Sequence, residues 1–496
     1  MNQHSQKRKP IVWSVAGSDC SGLAGQVADI RAIEAFGAHP CMVTTAVTAQ
    51  NSKKVLAINP LSEEQITAQF NALKDDLPAD AIKVGLLPTV DAINALKEFL
   101  KEYQGKLIVD PVMVSSSGKQ LMDEAAQVAF KTLFHQIDLL TPNIPELELL
   151  TARKIEKLED IEFAVDDILS AGVKAVLVKG GHADEDFCAD YFCSDSLEQE
   201  SESFWLSSAR QHRDNTRGTG CVLAASIATA WALNHSLKDA IVIGKMQINQ
   251  AIEHGYRVGM GKGPLKPLQW PAKQEYMPQL AKSFIEQDYA FPPCADEKPL
   301  GLYPVVDRAQ WLERLLPLGI STVQLRVKDL SGEQLEQEIK AAIAIAKKYQ
   351  ARLFINDYWS LAIKHNAYGV HLGQEDLDGA DLLAISKAGL RLGISTHCYY
   401  EVARAHAIKP SYLACGPVYH TESKQMPWIP HGVENLSYWV NTMNEYPWVA
   451  IGGINLQRMP EVAATKTSGI AMISAITQAE DPEAVTLQMM KIIQEY

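Results

Sequence analysis

The chain has 496 residues, of which 47% are hydrophobic and 21% charged, with a formal net charge of −13. That length exceeds one ordinary hydrophobic core, so two or more domains are expected. The acidic balance excludes a general binder of nucleic acid or anionic membrane, either of which needs a basic footprint. Eight cysteines (Cys20, Cys41, Cys188, Cys193, Cys221, Cys294, Cys398, Cys415) are scattered without a CxxC pair, which suits neither a disulfide framework nor a zinc finger. The apolar run after the basic start is too short for an export signal, and no stretch approaches the ~20 apolar residues of a membrane helix. A cytoplasmic location and small-molecule partners follow as expectations, with assembly into a homo-oligomer left open.

In chain order, strands are predicted at 11–17, 41–46, 81–87, 106–113, 138–142 and 175–180, and helices at about 26–36, 63–74, 89–103, 158–171 and 219–233. This alternation predicts an open α/β sheet with helices on both faces and ligands beyond the strand carboxyl ends. Residues 266–298 are proline-rich, with one amphipathic helix predicted near 273–288, and read as a linker between domains 1–265 and 299–496. Beyond it, short apolar runs recur at 301–306, 322–327, 352–357, 369–373, 390–396, 412–418, 448–453 and 469–474, with helical patterns between them. Eight strand–helix units in about 195 residues predict a compact (βα)8 barrel, whose function sits where strands end.

Chemistry concentrates at those ends. Gly218-Thr219-Gly220-Cys221 opens directly onto an alanine-rich helix. Free N–H groups and the helix dipole make an anion hole there, and the same field is expected to lower the Cys221 thiol pKa. Asp29 and Gln50 suit the edge of a polar heterocycle. Asp110 and the Thr141–Glu146 stretch, which includes Asn143, offer oxygen ligands for Mg²⁺, and Lys179 offers a cation for phosphate. Together they predict a phosphoryl-transfer site. In the second half, Gln324, Arg326 and Lys328 suit a polyanionic substrate, and Asn356-Asp357 with Gln374-Glu375-Asp376 supply a carboxylate pair for Mg²⁺. The loop Gly416–Lys424 is rich in hydroxyls and suits pyrophosphate. Gly452-Gly453 and Ile473-Ser474 present backbone N–H groups to a phosphate.

The ordered set AGSD, TAVTAQN, KVGLL, DPVMVSSSG, TPNIPE, LVKGGH and GTGC, over roughly 11–262, resembles the hydroxymethylpyrimidine/phosphomethylpyrimidine kinase family, of ribokinase-like fold. The resemblance implies that Asp29 and Gln50 hold the aminopyrimidine and that Asp110 and Glu146 organise Mg²⁺. It further implies that Lys179 and Asn143 bind ATP, with Lys179 on its phosphate, that Gly218, Thr219 and Gly220 form the anion hole, and that Cys221 is the base. Leu23 and Arg217 depart from the family, which usually has glycine and histidine there. The motifs QLRVKD, INDY, GVHLGQED, GISTH, GPVYHTESK and AIGGI, over about 301–480, resemble thiamine-phosphate synthase, a TIM-barrel family. That resemblance implies Mg²⁺ on Asp357 and Asp376. It places Arg326, Lys328 and Lys424 on the leaving pyrophosphate, and Ser395 and Thr421 on its oxygens. Ser423 keeps the hydroxyl of the family's threonine. Gln324 and Asn356 would contact substrate, and Gly453, Ile473 and Ser474 the thiazole phosphate. Tyr358 and His420 depart from this family. The expectation is a bifunctional thiamine-biosynthesis enzyme. Competing readings are a synthase fused to a non-catalytic pyrimidine sensor, or to a pyridoxal-type kinase.

Overall fold

The computed structural model of the chain describes residues 8–114, 118–180, 187–195, 202–283, 289–294, 298–420 and 430–496. It divides into two compact units: residues up to 271 with 275–284, and residues 285–496 with 272–274.

The first unit is built on one sheet of ten strands among the described residues: β1 (Ile11–Asp19), β2 (His39–Gln50), β3 (Val55–Pro60), β4 (Ala81–Val84), β5 (Lys106–Val109), β6 (Leu139–Leu140), β7 (Ala175–Val178), β8 (Phe187–Ser194), β9 (Glu202–Ala209) and β10 (Gln279–Ala281). Their order is β10-β9-β8-β7-β6-β5-β4-β1-β2-β3. The strands from β7 through β2 are parallel, while β3, β8, β9 and β10 pair antiparallel. Parallel strands covered on both faces must be apolar throughout. Accordingly β5 and β7 read Lys-Leu-Ile-Val and Ala-Val-Leu-Val. β4 carries an exception, Lys83, which is fully buried. Chain order reverses where β1 lies between β4 and β2, and such switch points are where open α/β sheets take ligands.

The helix predicted near 273–288 does not form. Gln274–Tyr276 is a single 3-10 turn, and Gln279–Ala281 extends the sheet edge by pairing with β9. The apolar spacing instead buries Tyr276, Met277 and Leu280 against the first unit. Residues 284–288 of that stretch lie outside the described residues.

The second unit is a closed barrel of eight parallel strands: β11 (Gly301–Val306), β12 (Thr322–Leu325), β13 (Arg352–Asn356), β14 (Gly369–Leu372), β15 (Arg391–Thr396), β16 (Tyr412–Cys415), β17 (Trp448–Ile451) and β18 (Gly469–Met472). β18 pairs back onto β11 and closes it. Tyr303, Phe354 and Tyr412 fill the interior with Val305, Ala414 and Val449. The two phenols share a hydrogen bond of 2.9 Å, which satisfies polar tips that burial would otherwise penalise. Among the described residues no helix is long and apolar enough to cross a membrane, and the eight cysteines are free.

Candidate active sites

The first site grows from the helix Thr219–Ala232. Gly218 caps it with φ of 88°, and the Thr219 hydroxyl donates to the Thr216 carbonyl at 2.6 Å. Two glycines allow the close approach. A Cβ on Gly218 would lie 2.8 Å from the Leu23 carbonyl, and one on Gly220 would lie 3.1 Å from both the Asp110 carboxylate and Lys179 Nζ. The helix start therefore sits directly over an Asp110–Lys179 ion pair. Lys179 also lies 3.8 Å from Glu146 Oε2.

These groups wall a cavity of about 830 Å³, which includes Gly17, Gln50, Lys83, Asn143 and Arg217 as well as Gly218 to Cys221. Asn143 and Glu146 have a local role too. They form a reciprocal capping box at the helix Ile144–Thr151, with hydrogen bonds of 2.8 and 2.9 Å. Burial pushes the Glu146 carboxyl up to about 7, against the opposing pull of Lys179. For Lys179, burial alone would lower the pKa, but Asp110 and Glu146 outweigh it and the ammonium is held more firmly.

Two expectations meet a different setting. Asp29 is fully buried, absent from the cavity wall, and ion-paired at 2.9 Å with Lys83, while Ser14 donates to it at 2.6 Å. A carboxylate with no water needs a cation, and β4 supplies one. Cys221 is not an activated thiolate. Burial pushes the thiol up to about 11, and the neighbouring Lys83 opposes this without reversing it. Leu23, which departs from the family, is buried and lies off the cavity wall, while its N–H donates to Asp19. Lys83 was missed from sequence, although a lysine inside the apolar run Ala81–Val84 was the available signal. Arg217 also takes an unforeseen partner, donating from Nη2 to Gln50 Oε1 at 2.7 Å.

In the barrel, Lys328 pairs with Asp357, and Asn356 Nδ2 donates to Asp357 Oδ1 at 2.7 Å. Asp357 holds φ at 65°, a left-handed conformation in which aspartate is tolerated better than most residues. Asp376 accepts from the Gly373 N–H at 3.1 Å. Burial raises its carboxyl pKa, and the Asp357 charge adds to the rise. Gln324 turns inward, 3.4 Å from the Tyr303 hydroxyl. Ser395 Oγ lies 2.8 Å from His371 Nε2, and His371 Nδ1 lies 2.7 Å from the Tyr412 hydroxyl. Burial lowers His371 to about 4, so this bridging imidazole is neutral. It too was missed, although GVHLGQED contains it. Arg326 follows β12 directly, and Gly452 and Gly453 take φ of 101° and 65° after β17. Ile473 and Ser474 open a four-residue helix after β18. Thr421, Ser423 and Lys424 lie outside the described residues.

The donor sets suit a hard divalent cation. No group of three or more His, Cys, Asp and Glu gathers among the described residues. Magnesium, however, takes one or two carboxylates and completes its shell with phosphate and water. Asp110 with Glu146 provides such a pair, and Asp357 with Asp376 provides another in which mutual repulsion favours an added cation.

Fold and site define a class: a ribokinase-like phosphotransferase unit followed by a TIM barrel with polar residues at its strand ends. Residues 19–266 match the family model of phosphomethylpyrimidine kinase, and residues 302–476 that of thiamine monophosphate synthase. The chain belongs to both families, one through each half. It is 56% identical over 198 residues to the thiamine-phosphate synthase of Yersinia pestis (strain Pestoides F), covering 40% of this chain and 92% of that protein. It is 58% identical over 193 residues to that of Salmonella schwarzengrund (strain CVM19633), covering 39% and 92%. The solved pyridoxal kinase of Staphylococcus aureus in complex with AMP-PCP aligns with a TM-score of 0.50 and 24% identity, over 55% of this chain and 99% of that one, a likeness of fold alone.

Proposed function

We propose that the chain catalyses consecutive steps of thiamine biosynthesis. ATP phosphorylates hydroxymethylpyrimidine and then its phosphate, and the resulting diphosphate condenses with thiazole phosphate to thiamine phosphate, releasing pyrophosphate. The observation that carries the first half is the single cavity wall joining Gln50, the helix start at Gly218–Cys221, and the Asp110–Lys179 pair. A ring held at Gln50 directs its hydroxymethyl arm toward Cys221, while the N–H groups of Gly218 to Gly220 stabilise charge on the transferring phosphoryl group. Lys179 and Asn143 serve the nucleotide phosphates. Magnesium on Asp110 and Glu146, when bound, neutralises phosphate oxygens.

In the barrel, the aminopyrimidine is electron-rich and supports the cation left when pyrophosphate departs. Arg326, Lys328 and Lys424 balance the departing charge, and Ser395, Thr421 and Ser423 donate to its oxygens. Asp357 and Asp376 would hold a second magnesium, which would neutralise pyrophosphate oxygens. Gln324 and Asn356 orient the pyrimidine, and Gly453, Ile473 and Ser474 receive the thiazole phosphate. The closing experiment supplies the intact chain with ATP, Mg²⁺, hydroxymethylpyrimidine and thiazole phosphate and follows products by mass spectrometry. Thiamine phosphate is expected. Synthesis from pyrimidine diphosphate alone, without pyrimidine-dependent ADP release, would leave the sensor reading in its place.

A further inference from the structure

We infer that Arg217 makes the kinase cavity selective for a pyrimidine that already carries a phosphate, so that the second phosphorylation is the favoured one. The inference rests on the kinase reading above and specifies its substrate. Arg217 is only 9% exposed and lines the cavity. The two inner lysines of that cavity are neutralised, Lys83 by Asp29 and Lys179 by Asp110. Arg217 has no ion-pair partner among the described residues. One guanidinium N–H reaches the neutral Gln50 amide, and Nε is buried with no acceptor among the described residues. A buried, uncompensated cation is costly. A ligand that brings an anion removes that cost, whereas a neutral hydroxymethyl group does not.

Position supports the same conclusion. Arg217 touches Gln50 on one side and directly precedes Gly218 on the other. It therefore lies between the amide that meets the ring and the N–H groups that meet the transferring phosphoryl group. A phosphomethyl arm running from ring to anion hole passes the guanidinium.

The chemistry balances without an added base. An oxygen of the substrate phosphate forms the new bond to the γ-phosphorus, while the bond from that phosphorus to ADP breaks and ADP leaves with the electron pair. The second pKa of a phosphate monoester is about 6, so at neutral pH the acceptor is mainly the dianion and no proton need be removed. The products are the pyrimidine diphosphate and ADP.

The test uses the full chain as wild type, Arg217→Gln and Arg217→Lys, with steady-state kinetics on the hydroxymethyl and phosphomethyl substrates separately. Both substitutions leave an N–H donor at this position, but only lysine keeps the charge, so comparing them isolates electrostatics from hydrogen bonding to Gln50. The readout is the preference ratio, kcat/KM for the phosphorylated substrate over kcat/KM for the unphosphorylated one. It should fall about tenfold or more in the glutamine variant, the scale of a lost charge-assisted hydrogen bond, and less than about threefold in the lysine variant. Synthase activity of the same preparations, supplied with pyrimidine diphosphate, reports that the chain is folded. An unchanged ratio in the glutamine variant, or an equal fall in both variants, overturns the inference. A wild-type chain that phosphorylates neither substrate instead overturns the kinase reading itself.

Discussion

Packing around Cys221 excludes water, and that desolvation pushes its thiol up to about 11 against the opposing charge of Lys83. If Cys221 is the base for the hydroxymethyl oxygen, it acts as the minor thiolate form. Below the thiol pKa, that fraction grows about tenfold per pH unit. Phosphorylation of hydroxymethylpyrimidine should therefore climb steeply between neutral pH and about pH 10, while phosphorylation of the phosphomethyl compound should not. Cys221→Ala should slow the first step by ~10²-fold and spare the synthase reaction when pyrimidine diphosphate is supplied. A flat pH profile, or an unaffected alanine variant, removes Cys221 from the base role. Asp29 makes a different prediction. Asp29→Asn strands the buried Lys83 charge and should cost about 3–5 kcal/mol of stability. Adding Lys83→Met should recover much of this in thermal unfolding. If the single variant melts like wild type, the pair is not structural. In the barrel, Asp376→Asn should move the Mg²⁺ titration of thiamine phosphate synthesis to higher concentration while the kinase titration stays in place. An unmoved titration would remove Asp376 from the metal site.

At the scale of elements, parallel strands were legible because burial on both faces leaves continuous apolar runs, as in β5 and β7. The antiparallel strands β3, β8, β9 and β10 were not read. β10 has three residues and exists because the edge of β9 offers unpaired N–H and C=O groups to it. No local pattern encodes that. β8 also has a task beyond the sheet. Asp190 accepts from the Gly180 N–H at 2.9 Å while pairing with buried Lys245 at 2.6 Å, so it anchors Gly180, the residue next to Lys179. Asp190→Asn should raise KM for ATP about fivefold, the scale of one weakened hydrogen bond, with little change in KM for the pyrimidine. Equal movement of both constants would mean general loosening rather than support of the strand end that carries Lys179.

At the scale of the whole molecule, each unit carries its own site, and no motif is divided between them. Fragments 1–284 and 289–496 should each fold and catalyse their own step, and mixed together they should make thiamine phosphate. Ending the first at 265 should lower its melting temperature. That cut removes β10, and it also takes the Leu268 and Tyr276 carbonyls that accept from Gln247 and Asn249 at 2.8 and 2.9 Å. If 1–265 melts with 1–284, the returning segment is dispensable.

The sequence by itself determined the two architectures, their order, and most strand ends. These rest on short-range periodicity and on motifs whose residues act within a few positions of one another. Only the tertiary structure decided that Asp29 answers Lys83, that Arg217 meets Gln50 without a counter-charge, and that Cys221 stays protonated. The energy of a charge or thiol depends on which distant groups surround it and on how much water they exclude, and both are settled by the folding of segments far apart in the chain.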